Sequence, residues 1–165
     1  AVVKNIGEAY LKSYYQEFWL GYTIFRFFNT YGVKQSADFV VSKFIKAALR
    51  NEDITVYGDG SQVRTFCYID DNIDACLNAF YNNKFVNDVI NIGSDKEIKI
   101  KVLADKIVNL TKTKSKIVHL PPLKIGDMRK RKPDITKMKT LIDRAIIPLE
   151  DGLMRIIQNP KYILD

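Results

Sequence analysis

Apolar residues recur at three- or four-residue spacing in several stretches of the chain, and this spacing is typical of helices with one buried face. The first stretch predicts a helix over residues 4–19. Its apolar stripe has four members: Ile6, Tyr10, Tyr14 and Phe18. The same pattern predicts further helices over residues 37–50, after Asp70 and Asp71, around residues 102–110, and after Pro148.

Between these helices lie short runs of β-branched and aromatic residues, which predict strands. They cover residues 22–27, 54–57, 63–69, 88–92 and 116–120, with a short extended piece at 98–100. Residues 58–61 (Gly-Asp-Gly-Ser) have the composition of a tight turn, so we interpret residues 54–69 as a hairpin. Because helices and strands are interspersed, the sequence predicts a mixed α/β fold.

Acidic residues mark two of the predicted helix starts. Asp70 or Asp71 is placed to cap one helix, and Asp134 to cap a short helix near the C-terminus. A carboxylate at such a position accepts hydrogen bonds from backbone N–H groups that have no partner within the helix.

Composition limits the class of protein. With 165 residues, 47% of them apolar and 27% charged, the chain is long enough for one domain and too apolar to be disordered. Its longest apolar runs fall far below the roughly 18 residues that cross a membrane. No signal-peptide pattern opens the chain. We therefore expect a cytoplasmic protein without a membrane partner.

The chain offers few metal ligands. It has one histidine, His119, and two cysteines, Cys67 and Cys76, which lack the spacing of a zinc site. We predict no metal site, and we interpret the cysteines as small apolar residues in a reducing compartment.

The net charge of +7 is concentrated near the C-terminus. Residues 124–139 contain seven basic and two acidic residues, which is most of the excess. A cationic segment of this kind indicates either an anionic partner, such as a phosphate, or a solvated surface.

Several short strings are candidates for chemistry. In chain order they are Lys4-Asn-Ile-Gly-Glu8, Arg26-Phe-Phe-Asn-Thr-Tyr-Gly32, residues 55–66 (TVYGDGSQVRTF) followed by Tyr68-Ile-Asp70-Asp71, Asn91-Ile-Gly93, residues 126–135 (GDMRKRKPDI) and Pro148-Leu-Glu-Asp-Gly-Leu153. Each has an ordinary structural explanation when it is taken alone. Their order along one chain is the informative feature.

Together these strings resemble the C-terminal half of an extended short-chain dehydrogenase/reductase of the NAD-dependent nucleotide-sugar epimerase/dehydratase family. The resemblance spans residues 1 to about 157 and is closest to the UDP-glucuronate decarboxylase and UDP-sugar 4-epimerase branches. Val33 departs from it, since the family usually has proline there, and Cys67 replaces a glutamine that is frequent among the decarboxylases. The resemblance implies a Rossmann-like fold with a small mixed α/β substrate-binding domain.

The resemblance also implies a cofactor site. Lys4 would be the lysine of a Tyr-x-x-x-Lys pair that binds NAD and lowers the pKa of the tyrosine, because a nearby cation favours the phenolate. Phe27 would lie near the nicotinamide.

For the nucleotide-sugar, the resemblance implies that Asn29 and Arg64 hold the diphosphate. Thr55, Val56 and Tyr57 would pack against the base. Two further positions complete this set: Asn91, in the motif that ends a substrate-domain strand, and either Arg129 or Arg131, as a second arginine on the diphosphate. The two possible alignments of the basic string leave that last choice open.

Domain organisation follows from the same resemblance. Residues 1–35 would be the last helix and strand of an NAD-binding Rossmann domain, and residues 36–165 the substrate-binding domain. The family's tyrosine would fall one residue before Ala1, and the chain has no Gly-x-Gly-x-x-Gly fingerprint between a strand and a helix. We therefore expect this chain to be a fragment that is inactive by itself. A homodimer through the helix at residues 4–19 is expected as well.

Two other functions stay open. One is a sugar-nucleotide-binding or scaffold protein without catalysis, and the other is a basic module that binds nucleic acid. The chain has no known nucleic-acid-binding motif, so no nucleic-acid partner is expected. The sugar, the nucleotide (UDP or dTDP) and the outcome (epimerisation, dehydration or decarboxylation) are not determined by these residues.

Overall fold

The structure of the protein is a computed structural model, and it describes residues 2–122 and 132–160. The helices in these ranges are α1 (Val2–Phe18), α2 (Val40–Leu49), α3 (Ile69–Tyr81), α4 (Ile100–Thr111), α5 (Thr136–Lys139) and α6 (Leu149–Gln158). The strands are β1 (Thr23–Phe27), β2 (Thr30–Tyr31), β3 (Ile54–Tyr57), β4 (Val63–Thr65), β5 (Cys67–Tyr68), β6 (Asp88–Ile92), β7 (Glu97–Lys99) and β8 (Ile117–Leu120). The predicted mixed α/β fold is confirmed.

The described strands form four separate pairs. β1 pairs with β6, β2 with β5 and β3 with β8, all in parallel, whereas β4 and β7 are antiparallel. Parallel partners cannot be joined by a tight turn. Long connections that contain helices therefore separate them in the sequence, and the α/β character of the fold follows from this.

The predicted hairpin over residues 54–69 is wrong. Gly58 and Gly60 do turn the chain, with φ angles of 66° and 71°, but the strands on either side of the turn do not pair with each other. The reason lies at the start of α4, where the N–H groups of Ile100 and Lys101 donate to the carbonyls of Gln62 and Gly60. These bonds hold the turn against α4 and direct β4 onto β7.

The prediction for the start of α3 is also wrong in detail. The helix begins at Ile69, and neither predicted aspartate caps it through its side chain. Asp71 is instead fully buried and accepts hydrogen bonds from Arg144 Nη1 (2.6 Å) and from the Ile147 N–H (3.1 Å). Its carboxylate therefore joins α3 to the segment that leads into α6.

The prediction for α5 is also wrong by one residue, since the N-cap of this helix is Ile135 and not Asp134. The side chain of Asp134 accepts hydrogen bonds from the backbone N–H and the hydroxyl of Thr136, the first residue of α5, at 2.9 and 2.6 Å.

The core consists of two clusters of buried apolar residues. The larger cluster joins α2, β3, α4 and α6, and the smaller one packs α3, β6 and α5 around Ile90, Ile92 and Met138. Cys67 lies in the smaller cluster, in agreement with its interpretation as a buried apolar residue.

Tyr31 belongs to the larger cluster and contacts α6 there. Its ring is almost completely buried, and its hydroxyl donates to the carbonyl of Leu149 at 3.3 Å. This contact requires a glycine at position 152, because a Cβ there would lie 2.1 Å from Tyr31 Oη and 2.8 Å from a ring carbon of Tyr68.

Helix α1 buries none of its residues against the rest of the described chain. Its stripe of Ile6, Tyr10, Tyr14 and Phe18 is 50–64% exposed. Apolar residues at helical spacing normally face a partner, so this surface is an unpartnered one within the described chain. No helix in the described ranges is long and apolar enough to cross a membrane.

We predict that Gly152→Ala destabilises the fold by about 3 kcal/mol, because the added methyl group overpacks the contact with Tyr31. Gly7→Ala is the matched control, since nothing lies within 4 Å of a Cβ at that exposed helical position. It should keep or slightly raise stability, as alanine is the better helix former by about 1 kcal/mol. Urea unfolding of the two variants measures the difference, and equal midpoints would contradict the prediction.

We also predict that Asp71→Asn lowers the free energy of unfolding by about 2 kcal/mol, the loss typical of a hydrogen-bonded charge. Asp70→Asn provides the comparison. Asp70 pairs with Arg155 through side chains that are each 48% exposed, and such surface pairs contribute about 0.5 kcal/mol. Thermal unfolding of the two variants should therefore show a larger loss of stability for Asp71→Asn than for Asp70→Asn. A similar loss in both variants would show that burial of Asp71 is unimportant.

Candidate functional site

Two adjoining cavities form one cleft on the molecule. The first, of about 800 Å³, is lined by the start of α1, the end of β1, residues 29–36 and parts of α2 and β5. The second, of about 250 Å³, is lined mainly by α2, β3 and β4. Asn29, Val40 and Phe66 line both cavities, so we treat them as one site with a first and a second cavity.

Most of the residues predicted from the sequence meet in this cleft. Lys4, Phe27 and Asn29 line the first cavity. The second is lined by Asn29 and by four others: Thr55, Val56, Tyr57 and Arg64. Residues that are up to 60 positions apart in the chain thus line two neighbouring cavities that share three lining residues.

Three predicted residues are not among them. Asn91 lies in a separate small cavity beside Arg26, and its side-chain amide donates to the carbonyl of Asp134 at 3.1 Å. The structure therefore does not bring Asn91 to the cleft. Arg129 and Arg131 lie outside the described residues.

Asn29 stands where the two cavities meet. Its φ angle of 41° places it in the left-handed region, which asparagine tolerates better than most residues. Its side-chain Nδ2 donates to the carbonyl of Thr65 at 2.9 Å, and its own carbonyl accepts from the N–H of Cys67 at 3.2 Å. These bonds hold the chain after β1 against the β4–β5 segment, and the cleft opens along that junction.

An ion pair orients the helix that carries Lys4. Arg26 on β1 donates from Nε and Nη2 to the two carboxylate oxygens of Glu8 on α1, at 2.7 and 2.6 Å. This bidentate hydrogen bonding lowers the pKa of Glu8. Lys4 is one helical turn before Glu8, and Phe27 follows Arg26, so the pair brings both residues to the first cavity.

The wall of the second cavity is ordered by hydrogen bonds between neighbouring residues. Arg64 Nη1 donates to the carbonyl of Val63 at 2.9 Å, and Gln62 Nε2 donates to the carbonyl of Tyr57 at 3.0 Å. The side-chain oxygen of Gln62 is buried without a hydrogen-bond partner in the described part of the chain, and so is that of Thr65. The wall therefore carries a guanidinium and a side-chain amide next to an aromatic ring.

Lys43 is a residue of this site that the motifs did not indicate. It lies on α2, lines the second cavity, and places its Nζ 5.6 Å from the centre of the Tyr57 ring. The predicted helix over residues 37–50 contained it, one turn after Val40, but helical spacing alone does not indicate which face meets a cavity.

The tyrosines at the base of the first cavity are poor proton donors and acceptors. Burial raises the pKa of Tyr31 and of Tyr68 above the usual value for a phenol, and both therefore remain protonated at neutral pH. Burial likewise raises the pKa of the Cys67 thiol to about 12, which leaves it unreactive. Neither the two tyrosines nor the thiol is therefore suited to acid–base or nucleophilic chemistry.

A third cavity, of about 730 Å³, lies beside α4 and α6 and is lined by a different set of residues, apart from Phe66. Its charged side chains are largely paired with each other or with neighbours, as in Lys139–Asp95 and Lys106–Glu150. It contains none of the predicted site residues. No group of His, Cys, Asp or Glu side chains in residues 2–122 and 132–160 is arranged to hold a metal ion.

Comparison with known proteins identifies relatives of this chain. The model of the NAD dependent epimerase/dehydratase family matches residues 1–93, more than half of the chain. The UDP-N-acetyl-alpha-D-glucosaminuronate decarboxylase of Bacillus cytotoxicus is 37% identical over 96% of this chain and 51% of its own length.

Solved structures show the same fold. UDP-glucose 4-epimerase from Thermotoga maritima, in complex with UDP-glucose, superposes with a TM-score of 0.91 at 33% identity, over 99% of this chain and 53% of that one. UDP-glucuronic acid 4-epimerase from Bacillus cereus, in complex with UDP-glucuronic acid and NAD, gives 0.86 at 29% identity, over 97% and 51%. The chain spans about half the length of these relatives.

The family and the Rossmann-type fold inferred from the sequence motifs are both confirmed by these matches. The chain belongs to the NAD dependent epimerase/dehydratase family.

Proposed function

We propose that this chain is the substrate-binding part of an NAD-dependent nucleotide-sugar epimerase, dehydratase or decarboxylase. The observation that carries the proposal is the pair of neighbouring cavities, in which Lys4 and Phe27 share one cavity with Asn29, and Asn29 shares the next cavity with Arg64 and Tyr57. An elongated ligand such as a nucleotide-sugar needs binding groups along its whole length, with the reacting sugar at one end of the site and the base at the other.

The second cavity fits the nucleotide. Arg64 offers a guanidinium, which can donate two parallel hydrogen bonds to a phosphate, and Asn29 has a second amide N–H beyond the one given to Thr65. Thr55, Val56 and Tyr57 form a partly apolar strand against which a base can lie. Relatives whose structures contain UDP-glucose or UDP-glucuronic acid support a UDP-sugar as the substrate.

The first cavity fits the reacting end of the substrate and part of the cofactor. Lys4 and Phe27 are the two residues of this chain that would contact NAD, and NAD when bound would accept a hydride from C4 of the sugar. The ammonium of Lys4 would stabilise the phenolate of a catalytic tyrosine and hold the cofactor's ribose. Asn29 would hold the diphosphate so that the sugar lies beside Lys4.

The domain boundary proposed from the sequence has one structural consequence. If residues 1–35 belong to the NAD-binding domain and residues 36–165 to the substrate domain, then β6 is a strand of the second region that pairs with β1 of the first. The two regions would therefore share a sheet.

The two free cysteines support placing the protein in a reducing cytoplasm.

We predict that UDP binds to this chain at low salt and that Arg64→Ala weakens the binding about tenfold or more, as expected for the loss of a charged hydrogen bond to phosphate. Isothermal titration calorimetry with UDP measures the effect. Arg50→Ala is the matched control, because Arg50 is exposed after the end of α2 and does not line the cleft. Equal affinities of the Arg64→Ala variant and the wild type would refute the diphosphate role.

We further propose that the protein forms a homodimer through α1, whose exposed apolar stripe is the supporting observation. Tyr14→Asp should shift the chain from dimer to monomer, because it places a charge in the middle of the stripe. Sedimentation equilibrium measures the change. Lys12→Asp, at an exposed position of the same helix outside the stripe, serves as the control. A wild-type chain that is monomeric at every concentration would exclude this interface.

A further inference from the structure

We propose that Lys43 selects the base of the nucleotide, favouring a pyrimidine with a keto oxygen at position 4, as in uracil and thymine, over cytosine. The inference rests on the proposed function, since it assigns a further role within the same nucleotide cavity. Lys43 belongs to none of the sequence motifs described above.

The position of Lys43 places it at the base end of the cavity. Its Nζ lies over the ring of Tyr57, 5.6 Å from the centroid, and Tyr57 ends the strand that forms the base wall. Arg64, the cation assigned to the diphosphate, lies on β4 instead. The second cavity thus has two cations on different elements, and the one on α2 contacts the residue against which the base would lie.

The contact with Tyr57 also restricts the lysine. A free lysine side chain has many rotamers, and ordering it for a ligand costs conformational entropy. Attraction between the ammonium and the face of the tyrosine ring favours conformations that hold the ammonium at the cavity. The donor is therefore partly positioned before a ligand arrives.

The hydrogen-bonding groups of an ammonium determine which edge of a base it can bind. It has three N–H donors and no acceptor. O4 of uracil or thymine can accept one of these hydrogen bonds, whereas the 4-amino group of cytosine presents N–H donors at that position and cannot accept one. Because Lys43 is exposed, water can replace the missing partner, so the expected discrimination is that of a single charged hydrogen bond.

UDP and CDP separate this role from an interaction with phosphate, because they share ribose and diphosphate and differ only in the base. We expect the wild-type chain to bind UDP at least about tenfold more tightly than CDP, the effect of one charged hydrogen bond. Lys43→Met, which keeps the apolar stem against Tyr57, should weaken UDP binding by a similar factor and leave CDP unchanged or tighter. Lys43→Arg should retain most of the preference, since it keeps a donor cation.

Calorimetry with both nucleotides on the same preparations provides the test, with Lys46→Met as the control on the same helix. Lys46 does not line the cavity, and its replacement should leave both affinities unaltered. Parallel losses of UDP and CDP in Lys43→Met would show that Lys43 contacts phosphate and would overturn the inference. An unchanged ratio of the two affinities would overturn it as well.

The same experiment separates this inference from the proposed function. If Arg64→Ala loses UDP while Lys43→Met keeps the wild-type preference, the nucleotide site stands and the role of Lys43 is wrong. If the wild-type chain binds neither UDP nor CDP, the nucleotide site itself is wrong, and the role of Lys43 fails with it.

Discussion

The cleft depends on the hydrogen bond from the side chain of Asn29 to the carbonyl of Thr65. This bond and the short parallel pair of β2 with β5 join a segment that leaves β1 to a segment that begins more than 30 residues later. Both cavities open along this junction. An asparagine suits the position for two reasons, because it tolerates the left-handed backbone there and its amide supplies a donor to the neighbouring carbonyl.

The contact between Glu8 and Arg26 explains how the motif from Lys4 to Glu8 is positioned in the fold. Helix α1 buries no side chain against the described chain, so apolar packing within the chain does not define its orientation. A bidentate ion pair has a preferred geometry, and this one connects the motif of Lys4 to the motif of Asn29. The glutamate therefore acts through position: it brings the turn that carries Lys4 to the end of β1.

Features that neighbouring residues determine were predicted correctly from the sequence, whereas features that depend on contacts between distant segments were not. The strands Ile54–Tyr57 and Asp88–Ile92 have their predicted bounds, because alternation and turn residues are local signals. The hairpin failed because the start of α4, about 40 residues after Gly60, holds the turn. Asp71 was misassigned for the same reason, since Arg144 is 73 residues away and no local signal reveals it.

The sequence by itself determined the α/β class, the family and seven of the residues that line the cleft, because these follow from periodicity and from motifs whose order is specific. Only the tertiary structure decided which strands pair, that Asn91 lies apart from the other predicted residues, and that Lys43 lines the second cavity of the cleft. The physical reason is that a sequence motif reflects only which residues are adjacent in the chain. A cavity is formed by residues that packing brings together, and packing depends on buried surfaces and hydrogen bonds between distant segments.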